Sequence, residues 1–275
     1  DAVIDFIDHR VGRPFFVYLA HTFPHVPLYP SDAADGQSPR GAYGDVIADI
    51  DHSTARIVAH LQERDLAENT LLFFTSDNGP WLPKEQQGGS AGLLRGGKTT
   101  VWEGGMRVPA IAWWPGRVPA GRVERSVTST LDLLPTLAGL AGAETPTDRA
   151  LDGVDIGPLL LGKQQELGDR TFFYYRSGRI RAVRHGDWKL HIAPMDDQEP
   201  GSTKPPDGPL LYNLAIDPGE HYDLTGQRQD IVEQLTGMIK KQRAAIEPPP
   251  SQIDLATLDR EATRHSLDYA LAAPD

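Results

Sequence analysis

Cysteine is missing altogether from the 275 residues. Its absence excludes disulfides, thiolate metal sites and a cysteine nucleophile within this stretch. No run of about 18 apolar residues occurs either, so no segment has the length and character of a membrane-spanning helix. Positive charge is scarce: 27 Lys and Arg face 38 Asp and Glu, a formal net charge of −11. An acidic chain without a basic stripe is a poor partner for nucleic acid, although a few placed cations can still bind an anion locally. Internal repeats are also lacking. Gly and Pro are plentiful instead, at 27 and 23 residues. That mixture describes a loop-rich fold and excludes fibrous, coiled-coil and wholly disordered classes. The length suits one large domain, or a domain with a small companion.

Val3, Ile4 and Ile7 fall at helical spacing, and Gly12 and Pro14 stop that helix. The run PFFVYLA, residues 14–20, reads as a strand buried on both faces of a parallel sheet. A Pro-rich loop follows. Residues 45–64 carry one apolar stripe and predict a helix. TLLFFTS (70–76) and PAIAWWP (109–115) predict two more apolar strands, separated by a Gly-rich loop over 88–105. A helix is expected over 130–142, with Thr130 as N-cap and Gly142 near its end. Alternation of strands and helices gives a layered α/β domain over residues 1–165. Hairpin spacing then takes over. Strands broken by turns over 172–193, a strand at 209–214 and a helix at 231–242 give a small antiparallel subdomain over 166–247. The tail, 248–275, is weakly patterned.

Three loops follow apolar strands, the position where open α/β sheets place ligands. In the first, prolines stiffen the chain around His25, which holds an imidazole in place to donate to an anion or act as a general acid. The second is Ser76-Asp77-Asn78-Gly79. It is a turn signal, and it also offers the carboxylate of Asp77 and the amide oxygen of Asn78, hard ligands for Ca²⁺ or Mg²⁺. The third runs from Arg95 to Pro109. Its glycines allow close approach of backbone to a ligand, and Lys98 places a compact charge on a sulfate or phosphate. The spacing is not that of a nucleotide-binding P-loop. Asp51 falls on the helix stripe and is a candidate partner for a buried loop. Glu103 and Arg107 are expected to pair locally. Trp113 and Trp114 are expected in the core, while Trp81 and Trp102 flank the loops and are candidate substrate contacts. His185 and His191 are candidates to approach the cleft from the antiparallel part.

The order of motifs, His25 in a PHxPL-like loop, then SDNG, then GGK…EGGxRVPA, resembles the sulfatases of the alkaline-phosphatase superfamily. Leu131-Asp132…Pro135-Thr136, Leu151-Asp152-Gly153-Val154-Asp155, Leu211-Tyr212 and Asp217-Pro218-Gly219-Glu220 continue the likeness. The resemblance spans roughly residues 5–245. It implies an alkaline-phosphatase-like mixed or parallel sheet flanked by helices, and hydrolysis of sulfate esters. In such enzymes a formylglycine made from Cys or Ser in C/S-x-P-x-R attacks sulfur, and a divalent cation, usually Ca²⁺, holds the sulfate. Asp77 and Asn78 match two of the metal ligands, and His25 and Lys98 match residues on the sulfate. The expected partner is a small sulfate ester or sulfated sugar, and the expected location is periplasmic or secreted.

One feature departs from the pattern. There is no Cys and no Ser-x-Pro-x-Arg; Ser38-Pro39-Arg40 has the wrong spacing. The resemblance therefore implies the C-terminal half to two-thirds of a sulfatase, inactive alone, with the nucleophile upstream. Two alternatives stand beside this. One is a phosphodiesterase or phosphonate hydrolase of the same superfamily, against which Asn78 argues, because two-zinc relatives place His there. The other is a non-catalytic binding remnant.

Overall fold

The computed structural model describes residues 1–176, 178–192 and 208–246. The predicted tail at 248–275, and parts of the predicted 172–193 segment, lie outside the described residues. In chain order the elements are helix α1 (Ala2–Asp8), helix α2 (Gly41–Glu63), strand β1 (Leu72–Thr75), the short helix α3 (Glu103–Met106) and strand β2 (Ala110–Trp113). Helices α4 (Leu133–Leu140) and α5 (Gly157–Leu160) follow, then strands β3 (Thr171–Arg176), β4 (Arg179–His185), β5 (Trp188–His191) and β6 (Leu210–Asn213), and helix α6 (Gln229–Ala245).

The layered α/β expectation holds, and so does the antiparallel C-terminal sheet with its helix. Strands β3–β6 form a meander in sequence order, closed by α6. Ile180, Val183, Leu190 and Leu211 project from the sheet onto Leu235 and Ile239 of α6. Ile180 and Val183, three apart on β4, share this inward face because the β3–β4 register shifts by one residue between them. The N-terminal layer is built on a smaller cluster: Ile7 of α1 and Leu61 of α2 pack with Ala67 against Phe15 and Trp113.

Several local expectations are corrected. Residues 14–20 form no ladder among the described residues, and Phe16 and Tyr18 are 71% and 83% exposed. An apolar run supplies the side chains of a strand but not the neighbour whose N–H and C=O groups make it one. Strands β1 and β2 pair antiparallel, Leu72 opposite Trp113 and Thr75 opposite Ala110, so no parallel ladder forms among the described strands. The cap before α4 is Ser129 rather than Thr130. Its hydroxyl accepts from the Leu131 N–H, and Asp132 reaches back to the Ser129 N–H, a capping box. Asp51 is exposed. Its neighbours on α2 do the work expected of it: Asp45 accepts from the N–H groups of Gly36 and Ser38 at 3.0 and 2.7 Å, and Asp49 from the Ser31 N–H at 2.7 Å.

Candidate active site

The loop after β1 and the Gly-rich loop interlock through their backbones. The Gly79 N–H donates to Gly105 O at 3.0 Å and the Lys98 N–H to Pro80 O at 2.7 Å. Thr75 Oγ1 adds a bond to Pro109 O at 3.0 Å. This approach needs glycine. A Cβ on Gly79 would sit 1.7 Å from Gly104 O, and one on Gly97 would sit 2.4 Å from Pro80 O. Lys98 is thereby carried beside the Asp77–Pro80 turn.

Trp81 joins the His25 loop to these two. The His25 ring lies 5.6 Å from the Trp81 ring, centroid to centroid. The Lys98 ammonium lies 5.3 Å from the same ring, and Lys84 stands at 4.8 Å. A cation within about 6 Å of an indole is attracted to its π face. The aromatic therefore holds Lys98 without neutralising it. His25 Nδ1 donates to Val26 O at 2.7 Å. A carbonyl can only accept, so the proton is fixed on Nδ1, and Nε2 is left to exchange a proton with a ligand. His25 and Asp77 are exposed, while Asn78 and Lys98 are half-buried. The four residues picked out in sequence thus lie on three loops that the fold brings against one another. Thr99, next to Lys98, adopts φ 77°. A β-branched residue in the left-handed region is strained by about 1–3 kcal/mol, a cost tolerated where surrounding contacts fix the backbone.

The oxygens of Asp77 and Asn78 are right in kind for a hard cation but few in number, since Ca²⁺ takes about six to eight. Among the described residues no group of three or more His, Asp and Glu is placed to hold a metal. The donor set therefore fits part of a Ca²⁺ or Mg²⁺ site.

Beneath the Gly-rich loop lies an ionic cluster that reasoning from sequence missed. Glu103 is buried, contrary to the expected local pair with Arg107, which is exposed. Its carboxylate meets Lys189 of β5 at 2.8 Å and Arg184 of β4 at 3.4 Å. Its N–H donates to Glu220 Oε2 at 2.6 Å. Glu220 completes the ring, at 3.1 Å from Lys189 and 2.7 Å from His191 Nε2. Burial alone would raise the Glu220 carboxyl, but Lys189 and the His191 bond overcome it and hold it below the usual carboxylate range. Burial would likewise lower Lys189, yet Glu103 and Glu220 keep it above its ordinary value. His191 goes the other way. Burial pushes it down to about 4, and its Nδ1 is buried with no partner. It is therefore a neutral ring donating from Nε2. Trp102 stacks on it at 4.1 Å and carries Arg95 at 3.9 Å on its ring. Trp102 and His191 are thus buried supports rather than cleft residues. His185 bonds Thr171 at 2.8 Å. The sequence signal for this cluster was the pair of EGG and DPGE segments, whose acids have no meaning until the fold joins them.

The model of the sulfatase family matches residues 1–143, and that of the C-terminal region of aryl-sulfatase matches residues 167–267. N-acetylgalactosamine-6-sulfatase of Canis lupus familiaris is 38% identical over 92% of this chain and 53% of its own length. Human arylsulfatase A is 40% identical over 79% of this chain and 45% of its own length. The crystal structure of PsFucS1 sulfatase from Pseudoalteromonas sp. superposes with a TM-score of 0.82 at 29% identity, over 91% of this chain and 52% of that one. The chain thus spans about half the length of the relatives it matches.

Proposed function

The chain belongs to the sulfatase family, and from that membership we propose that it carries the sulfate- and cation-facing residues of a sulfuric ester hydrolase of arylsulfatase type. The observation that supports this most is the convergence of His25 and Lys98 on Trp81, with Lys98 tied by its backbone to the turn that bears Asp77 and Asn78.

In this reading Asp77 and Asn78 give two oxygens to a Ca²⁺ or Mg²⁺, which would polarise the sulfate as a Lewis acid. Lys98 places its charge on a non-bridging sulfate oxygen. Charge grows on the bridging oxygen as the S–O bond breaks, and a protonated His25 delivers its Nε2 proton there. The ring is left in the Nδ1–H tautomer that Val26 O already holds. A formylglycine of the family's kind has no precursor in these residues, which contain neither Cys nor Ser-x-Pro-x-Arg. We therefore read them as binding and orienting the ester and moving the proton, without turning it over by themselves. A sulfated sugar or aryl sulfate is the substrate class proposed, and a periplasmic or secreted setting the location.

The test uses protein expressed from its whole reading frame, assayed on 4-nitrophenyl sulfate and on bis(4-nitrophenyl) phosphate. Preference for the sulfate ester is expected. Lys98→Ala and His25→Ala should each lower kcat/KM by about 100- to 1,000-fold, the usual effect of removing one preorganised group at a developing oxyanion. Preference for the phosphodiester would move the protein to the phosphodiesterase reading.

A further inference from the structure

Strand β4 carries a β-bulge. Tyr174 pairs with Ala182 and Tyr175 with Ile180, so Arg181 has no opposite number on β3. A bulge turns a side chain out of the pleat's alternation. Ile180 and Arg181, neighbours that a regular strand would send to opposite faces, both line one half-open cavity of about 390 Å³ between β4 and the C-terminal half of α6. Arg179, Lys240 and Arg243 line it too. Four cations thus converge in a chain whose net charge is −11. Among the described residues no ion pair engages any of them. The Nε of Arg181 is buried and has no hydrogen-bond partner. A buried donor left unpaired costs about 1–3 kcal/mol, which an acceptor in the cavity would relieve. The helix C-terminus, with its partial negative charge, accounts for cations at Lys240 and Arg243. It does not account for Arg179 and Arg181, which come from the strand.

We infer that this cavity is a second oxyanion-binding site, taking a multiply charged ligand that bears sulfate or phosphate groups. Arg181 supplies the directed donors and Arg179, Lys240 and Arg243 supply the surrounding charge. The site shares no residue with the three loops described above, so it does not rest on the sulfatase reading.

The test is calorimetric titration of protein expressed from its whole reading frame with a heparin-derived tetrasaccharide and, separately, with inorganic pyrophosphate. EDTA is present and Lys98→Ala is the background, so that neither the proposed cation nor the proposed catalytic cation contributes. Saturable 1:1 binding is expected. Arg181→Gln and, separately, Lys240→Glu should weaken it at least about tenfold, as loss of one directed charged contact does. Lys163→Glu, an equal change of net charge elsewhere on the surface, should not. Lys240 is exposed, so its variant folds even where Arg181→Gln does not. Binding of the tetrasaccharide alone identifies a sulfated glycan as the ligand. Binding of pyrophosphate alone identifies a phosphate compound, and binding of both a site general for such oxyanions. No saturable binding with either probe, or equal weakening by Lys163→Glu, overturns the inference.

Discussion

His191 shows how far one environment can fix a protonation state. The ring donates to Glu220 from Nε2, and Nδ1 faces no acceptor, so a second proton would be a buried N–H without a partner. Its folded pKa, about 4, lies below the ordinary histidine value of 6.5. The unfolded chain therefore binds more protons between those two values, and stability falls as pH drops from 6.5 toward 4. The full loss is about 3 kcal/mol, at about 1.4 kcal/mol per unit. Glu220 and Asp132, both held low in the folded state, lose their contributions only as pH falls further, through their depressed values. Urea unfolding at intervals from pH 7 to 4.5 should show this slope in the wild type, and a clearly smaller one in His191→Gln. Equal slopes would mean the ring is not held neutral. Thr99 makes a second case at this scale. Thr99→Gly relieves its positive φ and should raise stability by about 1 kcal/mol. It also loosens Lys98, so thermal melting should rise while sulfate-ester turnover by the whole-frame protein falls.

Between elements, the ionic cluster fastens the Gly-rich loop to strands β4 and β5. Removing one partner from a buried ionic group leaves charge uncompensated and costs about 3–5 kcal/mol. Glu220→Gln should lower the urea-unfolding free energy at pH 7 by that amount, and a loss under about 1 kcal/mol would show the cluster to be loosely coupled. Gly79→Ala drives a Cβ into the Gly104 carbonyl. It should separate the two loops, lowering both the melting temperature and turnover, whereas Gly226→Ala, with open space around it, should change neither. The same elements show what a sequence can say. Helices α2 and α6 are legible because their apolar stripes repeat with the helical period, and β3–β6 because turn residues punctuate them. His25, Asp77, Asn78 and Lys98 are legible because each sits in a loop after an apolar run and in an order known from a family. Glu103, Lys189 and Glu220 are not. They stand 86 and 31 residues apart in the chain, and nothing local marks three charged residues as destined for one buried site. The unpaired run at 14–20 fails for a related reason, since composition names a strand's side chains and not its neighbour.

At the scale of the whole molecule, large apolar side chains stand exposed in the N-terminal layer. Phe16, Tyr18 and Leu19 are exposed, and Ile111 of β2 is 60% exposed. Apolar surface of this kind seeks cover. The 275-residue chain by itself should bind a hydrophobic dye and self-associate in sedimentation, and Phe16→Ser with Tyr18→Ser should reduce both. A monodisperse, dye-silent monomer would show that this surface is tolerated in water. The C-terminal sheet, by contrast, packs its inner face on α6, and its buried charges brace the Gly-rich loop above it, while the hollow beside α6 is the second oxyanion site inferred above.

The central question is whether the three loops make one place for sulfate and cation. Sulfate binding to the whole-frame Lys240→Glu protein, a background that weakens the second oxyanion site, measured by calorimetry with Ca²⁺ and then with EDTA, asks this directly. Tighter binding with Ca²⁺, abolished in Asp77→Ala and weakened at least about tenfold in Lys98→Ala, is the predicted result. Sulfate affinity that ignores both Ca²⁺ and Asp77 would contradict it.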